Sequence, residues 1–171
     1  MTARILLAAV VTLPAMFAQA GNPLSADAKA IWTGIKTNNL KAAEKMSEAD
    51  YSFKPAPEVR TYGQLVAHIA DGNRLICGAA KGEAYTPSIE KTKTTKAEIV
   101  AALQESIAYC DAIYDSMTDA EAMKMVKLFG RDRTKAAALF VNISHDNEHY
   151  GNQVTYLRIK GIVPPSSEPR R

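Results

Sequence analysis

The sequence of 171 residues lacks several features that would point to common classes of protein. It has no internal repeat, no glycine-rich phosphate-binding loop and no alternation of strand and helix patterns. These absences argue against repeat architectures, P-loop enzymes and nucleotide-binding α/β domains. Beyond the first twenty residues, no apolar run approaches the roughly 20 residues that cross a bilayer. We therefore expect no membrane-spanning segment in the mature protein.

A strong excess of one charge is also missing. The chain has 21 lysines and arginines against 18 aspartates and glutamates, a formal net charge of +3, and its basic residues are spread along the sequence. Nucleic-acid binding needs a clustered basic face, so we expect no nucleic-acid partner. Apolar residues make up 47% of the chain, which suffices for one domain with a core and excludes general disorder.

The first twenty residues differ from the remainder. Arg4 precedes an apolar run from Ile5 to Phe17, and small residues follow in Ala18-Gln19-Ala20. This pattern predicts a signal peptide over residues 1–20, cleaved before Gly21. An uncleaved membrane anchor is the alternative, and the short apolar run argues against it. We therefore expect an exported protein, periplasmic or secreted, with no membrane attachment after cleavage.

Four segments have apolar residues at the spacing of amphipathic helices. They run from Leu24 to Met46, from Thr61 to about Ala79, from Thr95 to about Met117, and from Thr134 to Gly161. Ser25, Thr61 and Thr95 are the predicted N-caps of the first three, and Thr95 with Glu98 forms a capping-box pattern. Four helices of this length predict an all-α protein, a four-helix bundle.

The connections add two expectations. About fifteen residues separate the second and third helices, which is long enough for a crossover between parallel helices. Val126 to Phe129, followed by Gly130, predicts a short extended piece and a turn before the fourth helix.

The domain is expected to span residues 21–165. Residues 166–171 contain no core residue and are predicted to form a mobile tail.

Two cysteines, Cys77 and Cys110, would form a disulfide in an oxidising compartment. A bridge requires α-carbons within about 7 Å, which sequence spacing does not reveal, so buried free thiols are an equal alternative. A cysteine nucleophile is disfavoured because neither residue has a histidine beside it in sequence.

Only three histidines are present, and two of them, His145 and His149, lie one helical turn apart. On a helix both project from one face and can bind the same ion. His68 falls on the apolar side of the second helix, where an unpartnered imidazole would have to be desolvated. We predict that the three bind one divalent metal with open coordination positions. The alternative is a core His68 and a solvent-facing pair.

Nearby polar residues are candidates for a shell that orients the histidines. Asn142 and Asn152 fall on the face of the histidine pair, and Glu148 lies about 60° from it around the helix. Asp71 follows His68 by three residues.

Two other metal sites are disfavoured. Asp146 stands where a zincin has glutamate, and the Glu-x-x-His elements of a di-iron bundle are missing. The identity of the metal stays open, since zinc, nickel and iron all accept three imidazoles.

Three stretches resemble the DinB family, part of the DinB/YfiT-like metalloenzyme superfamily. They are TYGQLVAHIADGN with His68, the VKLFG turn, and HDNEHYGNQVTYLRIKGIVPPSS with His145 and His149. The resemblance extends from about Trp32 to Pro165. It implies a four-helix bundle of up-down-down-up topology, one divalent metal held by His68, His145 and His149, and a homodimer.

The resemblance also implies an enzyme, since family members include thiol-dependent S-transferases and isomerases. Their low-molecular-weight thiols are cytosolic, so the export signal favours a metal-dependent hydrolase that acts on a small molecule. The alternative is a protein that binds metal without catalysis, or uses it only for structure.

Overall fold

The computed structural model describes residues 21–169, so the predicted signal peptide lies outside the described residues. In chain order the helices are α1 (Pro23–Lys45), α2 (Tyr62–Lys81), α3 (Ile89–Thr92), α4 (Lys96–Ser116), α5 (Asp119–Ala122) and α6 (Lys135–Ile159), with 3₁₀ turns at Glu48–Ser52 and Pro165–Ser167. Within this part of the chain, no helix is both long and apolar enough to cross a membrane.

The long helices α1, α2, α4 and α6 form the predicted four-helix bundle. Helix α2 packs between α4 and α6, and α1 contacts the same two helices from the other side. Helices α2 and α4 run parallel, because Asn73 meets Ser106 and, one turn later in both helices, Cys77 meets Cys110. The connection between them is therefore a crossover, and α3 lies within it. The predicted fold class is confirmed.

Threonine caps begin three of the long helices. Thr61 and Thr95 form capping boxes with Gln64 and Glu98, and the hydroxyl of Thr134 accepts from the backbone N–H of Ala137. Each side chain satisfies a backbone N–H that the first turn leaves without an intrahelical partner.

The predicted cap of α1 is wrong. Ser25 lies inside the helix, and Asn22 holds the N-cap position. The backbone N–H groups of Leu24 and Ser25 instead donate to the Asp119 carboxylate, at 3.3 and 2.8 Å. This acceptor lies more than 90 residues away along the chain, so no local pattern could have revealed it.

Cys77 and Cys110 form a disulfide, with α-carbons 5.5 Å apart. Both residues are fully buried. The bond joins the parallel helices α2 and α4, and it decides between the two alternatives that the sequence left open.

A β-hairpin precedes α6. Strand β1 (Met125–Leu128) pairs antiparallel with β2 (Arg131–Thr134). The two turn residues, Phe129 and Gly130, have φ angles of 50° and 74°, as a two-residue type I′ connection requires. The predicted extended piece at Val126 is confirmed.

The segment after Pro165 contacts the bundle. The backbone N–H of Ser166 donates to the Tyr150 hydroxyl at 2.9 Å, and the Arg158 guanidinium donates to Ser167 Oγ at 2.9 Å. The mobility of residues 166–171 stays a prediction.

Candidate metal centre

The three histidines come together between two adjacent helices. His68 projects from α2, and His145 and His149 project from α6. Each offers one ring nitrogen to a shared position, and these three nitrogens lie within 4.8 Å of one another. The Nε2 atoms of His68 and His145 are 3.3 Å apart, and the ring centroids of His145 and His149 are 4.4 Å apart.

This spacing fits a shared metal ion. Two imidazole nitrogens that bind one tetrahedral ion at about 2.0–2.1 Å lie about 3.3 Å from each other. That is the separation observed between the Nε2 atoms of His68 and His145. Neutral imidazoles are ligands for zinc, nickel and iron, so the donor set and the spacing of this pair suit a divalent transition metal.

The surroundings favour the neutral, metal-binding form of two of the histidines. Burial lowers the pKa of His149 to about 4, with further lowering from the charges of His145, His68 and Arg60. Burial also lowers the pKa of His68, helped by Arg60 and His145 and opposed by Glu90. An imidazole that is neutral at physiological pH has a lone pair to donate without first losing a proton.

Gly72 makes room for the ring of His145. It follows His68 by four residues, one turn along the same face of α2. A Cβ atom at this position would lie 2.3 Å from Cε1 and 3.0 Å from Nε2 of His145. The imidazole therefore rests against the backbone of α2. A glycine inside a helix four residues from a candidate ligand was the available sequence signal, because glycine is costly there.

Asp146 is a partner of His145 that the sequence did not reveal. Its side chain is fully buried, and its Oδ1 lies 3.2 Å from His145 Nδ1. A proton on Nδ1 that is donated to this carboxylate leaves Nε2 free for an ion. With its amide nitrogen turned toward Asp146, Asn73 donates to the same carboxylate at 3.1 Å. Burial raises the pKa of Asp146, and the contacts with His145 and Asn73 oppose this rise.

Glu90 is the partner of His68. Its Oε2 lies 3.3 Å from His68 Nδ1, and its Oε1 accepts from Arg60 Nε at 2.9 Å. Glu90 belongs to α3, in the crossover between α2 and α4. No local spacing relates it to His68, so only the topology brings the two side chains together.

Asp71 holds α3 in place and does not orient His68 directly. Its buried carboxylate accepts from the backbone N–H groups of Ser88, Ile89 and Glu90 at 3.0, 3.1 and 2.9 Å. It also accepts from the Tyr85 hydroxyl at 2.7 Å. Burial alone would raise the pKa of Asp71, but these hydrogen bonds outweigh burial and lower it. Asp71 therefore acts on His68 through the segment that carries Glu90.

Of the remaining candidates for the orienting shell, Asn152 contacts a histidine, whereas Asn142 and Glu148 lie elsewhere. The amide of Asn152 lies 3.3 Å from His149 Nδ1, so it occupies one ring nitrogen and leaves the other for an ion. Asn142 lies deeper in the core, where its Oδ1 accepts from the Tyr114 hydroxyl at 3.0 Å. Glu148 is exposed to solvent.

An open cleft of about 600 Å³ reaches the histidine cluster from solvent. His149 and Asn152 line it from α6, and Arg60 and Glu90 line it from the connector before α2 and from α3. A small molecule in the cleft would lie beside His149.

Similar proteins share this architecture. YjoA of Bacillus subtilis is 30% identical over 128 residues, which cover 73% of this chain and 82% of YjoA. The crystal structure of YjoA matches with a TM-score of 0.69 and 24% identity, over 85% of this chain and 99% of that chain. The crystal structure of a DinB-like protein from Bacillus cereus matches with a TM-score of 0.68 and 21% sequence identity, and the match covers 78% of this chain and 91% of that protein. YfiT from Bacillus subtilis matches with a TM-score of 0.64 and 15% sequence identity, and the match covers 84% of this chain and 91% of YfiT.

The family model of the DinB superfamily matches residues 34–152, more than half of the chain. This match includes all three histidines, the whole of α2, and α6 as far as Asn152. The chain belongs to the DinB superfamily.

Proposed function

We propose that the protein is an exported metal-dependent hydrolase of small molecules, with one divalent ion held by His68, His145 and His149. The observation that carries the proposal is the meeting of their ring nitrogens within 4.8 Å, beside a cleft open to solvent. Three protein ligands with an open position are the arrangement of catalytic rather than closed structural sites.

The chain supplies the orientation of each ligand. Carboxylate oxygens of Glu90 and Asp146 lie 3.3 and 3.2 Å from Nδ1 of His68 and His145, where accepting a hydrogen bond from each Nδ1 would leave both Nε2 atoms free for the ion. Asn152 occupies one nitrogen of His149. A divalent ion in such a site lowers the pKa of bound water toward 7 and polarises a carbonyl or phosphoryl oxygen. The cleft admits the substrate at His149.

Two observations favour hydrolysis over thiol transfer. YfiT, which shares the fold, is described as a probable metal-dependent hydrolase with an unusual four-helix bundle topology. The buried disulfide between Cys77 and Cys110 is typical of proteins outside the cytosol. Reduced low-molecular-weight thiols such as glutathione belong to the cytosol, so a thiol-dependent reaction fits an exported protein less well. The same disulfide supports export, as does the signal-peptide pattern of residues 1–20.

The proposal includes a homodimer. Large apolar side chains stay exposed on the bundle, among them Leu24, Ile31 and Phe140, at 58%, 49% and 49% exposure. A dimer interface would cover such surface. Sedimentation equilibrium tests this part separately.

Metal analysis of the purified protein is the first test. We expect one zinc, nickel or iron ion per chain, lost in His145→Ala and His149→Ala and retained in Ser144→Ala, an exposed neighbour. Wild-type protein that binds none of these ions after equilibration would refute the proposal.

A panel of ester, amide and phosphoester substrates then separates the two classes of function. We expect turnover that chelation abolishes and added metal restores. Tight metal binding without turnover on the whole panel would favour the non-catalytic alternative, and turnover that survives chelation would remove the metal from the reaction.

A further inference from the structure

We infer that the substrate is a small organic anion and that Arg60 binds its carboxylate in the cleft beside the histidines. This inference rests on the proposed function and adds the substrate class. It starts from the way in which Arg60 is held. The Tyr156 hydroxyl donates to the backbone carbonyl of Arg60 at 2.7 Å, and the side-chain Nε donates to Glu90 at 2.9 Å. The backbone carbonyl and the Nε atom of Arg60 are therefore both held at the cleft wall.

The anchoring leaves the end of the guanidinium for a ligand. Its single ion pair uses Nε, and no hydrogen bond joins Nη1 or Nη2 to another group in residues 21–169. The Arg60 side chain is 42% exposed and lines the cleft together with His149. A planar pair of N–H donors matches the two oxygens of a carboxylate, and a preorganised arginine loses little entropy on binding one.

The charge of the cleft favours the same class. Arg60 lines the same cleft as His149, so its positive charge lies beside the histidines. The acidic groups that line the cleft are Glu90, already engaged by His68 and Arg60, and the exposed Glu58. With a divalent ion bound by the histidines, the net charge of the cleft would be positive and would attract anions.

The volume and the lining of the cleft limit the size and shape of the anion. A volume of about 600 Å³ lies within the range of small-molecule sites. Val59 and Leu65 contribute apolar surface to the same wall. The cleft therefore suits a carboxylate attached to a compact carbon skeleton.

Benzoate and benzamide are a suitable pair of probes, because they have nearly the same shape and differ in charge. Isothermal titration of the zinc-loaded protein should give at least tenfold tighter binding for benzoate. Arg60→Gln should weaken benzoate about ten- to hundredfold, the loss expected for charge-assisted hydrogen bonds, and leave benzamide unchanged. Arg158→Gln, an exposed arginine on α6, serves as the matched control and should bind both probes like the wild type.

The zinc content of every sample separates this inference from the proposed function. Absence of zinc from the wild type would refute the metal site itself. Zinc-loaded protein that binds the two probes equally, or Arg60→Gln that binds benzoate as tightly as the wild type, would refute the role of Arg60 alone. If Arg60→Gln loses zinc, benzoate binding is measured with Arg60→Lys instead. This variant keeps the positive charge and lacks the planar pair of N–H donors. Severalfold weaker benzoate binding with zinc retained supports the inference, and wild-type binding refutes it.

Discussion

Gly72 offers a direct test of the metal centre, because a single methyl group placed there should displace one ligand. In Gly72→Ala the new Cβ would lie 2.3 Å from Cε1 of His145. Carbon atoms pack at about 3.5–4.0 Å, so the ring must move by about 1 Å or more. Metal–nitrogen bonds are only about 2.0–2.1 Å long, and a shift of this size removes His145 from the ion.

The expected effect on zinc affinity is therefore large. Loss of an orienting partner alone costs about 10- to 100-fold in metal affinity, and displacement of a ligand should cost at least the upper end of that range. The effect on the metal-free fold should be small. Alanine gains about 0.5–1 kcal/mol over glycine inside a helix, and overpacking costs about 1–3 kcal/mol, so the two terms partly cancel.

A competitive zinc titration and a urea denaturation of the metal-free protein measure the two effects separately. Gly151→Ala is the matched control. It also lies inside a long helix, two residues from His149, and its Cβ would meet nothing within 4 Å. This control should bind zinc like the wild type and gain up to about 1 kcal/mol in stability. Wild-type zinc affinity in Gly72→Ala would refute the proposed position of His145 at the ion.

Three further predictions test the surroundings of the site. Glu90→Gln should lower zinc affinity about 10- to 100-fold in the same titration, because a neutral amide orients His68 less strongly; unchanged affinity would show that the contact is incidental. Asp71→Asn should cost about 1–3 kcal/mol in urea denaturation at pH 7. Folding lowers the pKa of Asp71, so its carboxylate stabilises the fold fully at pH values above 3.8, the ordinary pKa. This stabilisation is lost as the pH falls through the lowered pKa of the folded state, so the free energies of unfolding of wild type and variant should converge in acid. A Cys77→Ala, Cys110→Ala double variant should lose about 3–4 kcal/mol, as expected for cross-linked residues 33 apart, and equal stability would contradict the chain-entropy argument.

The sequence was informative wherever one periodicity decided the outcome. Helical spacing placed His145 and His149 on one face, and the capping patterns at Thr61 and Thr95 located the starts of α2 and α4 to the residue. These features depend on neighbours within one helical turn. The bundle and the pairing of His145 with His149 could therefore be predicted from the sequence, whereas the place of His68 beside them was expected only from its apolar position and the family resemblance.

The sequence failed where a partner comes from a distant part of the chain. Asp119 caps α1 from α5, which no local pattern could suggest. Asp146 was missed for a different reason. Consecutive residues of a helix point about 100° apart, so a helical wheel does not place Asp146 beside His145. Its short side chain instead stays inside the core and bends back to the adjacent ring, where Oδ1 lies 3.2 Å from Nδ1.

The three imidazoles depend on the fold to different degrees. His145 and His149 find their partners in Asp146 and Asn152, within three residues on the same helix, so α6 alone nearly defines their orientation. His68 depends on Glu90, which reaches it only because α2 and α4 are parallel and their crossover passes the ring. Asp71 fixes that crossover by accepting three backbone N–H groups at the start of α3. The parallel arrangement of α2 and α4 thus has a chemical consequence, since an antiparallel hairpin between the two helices would leave His68 without its carboxylate.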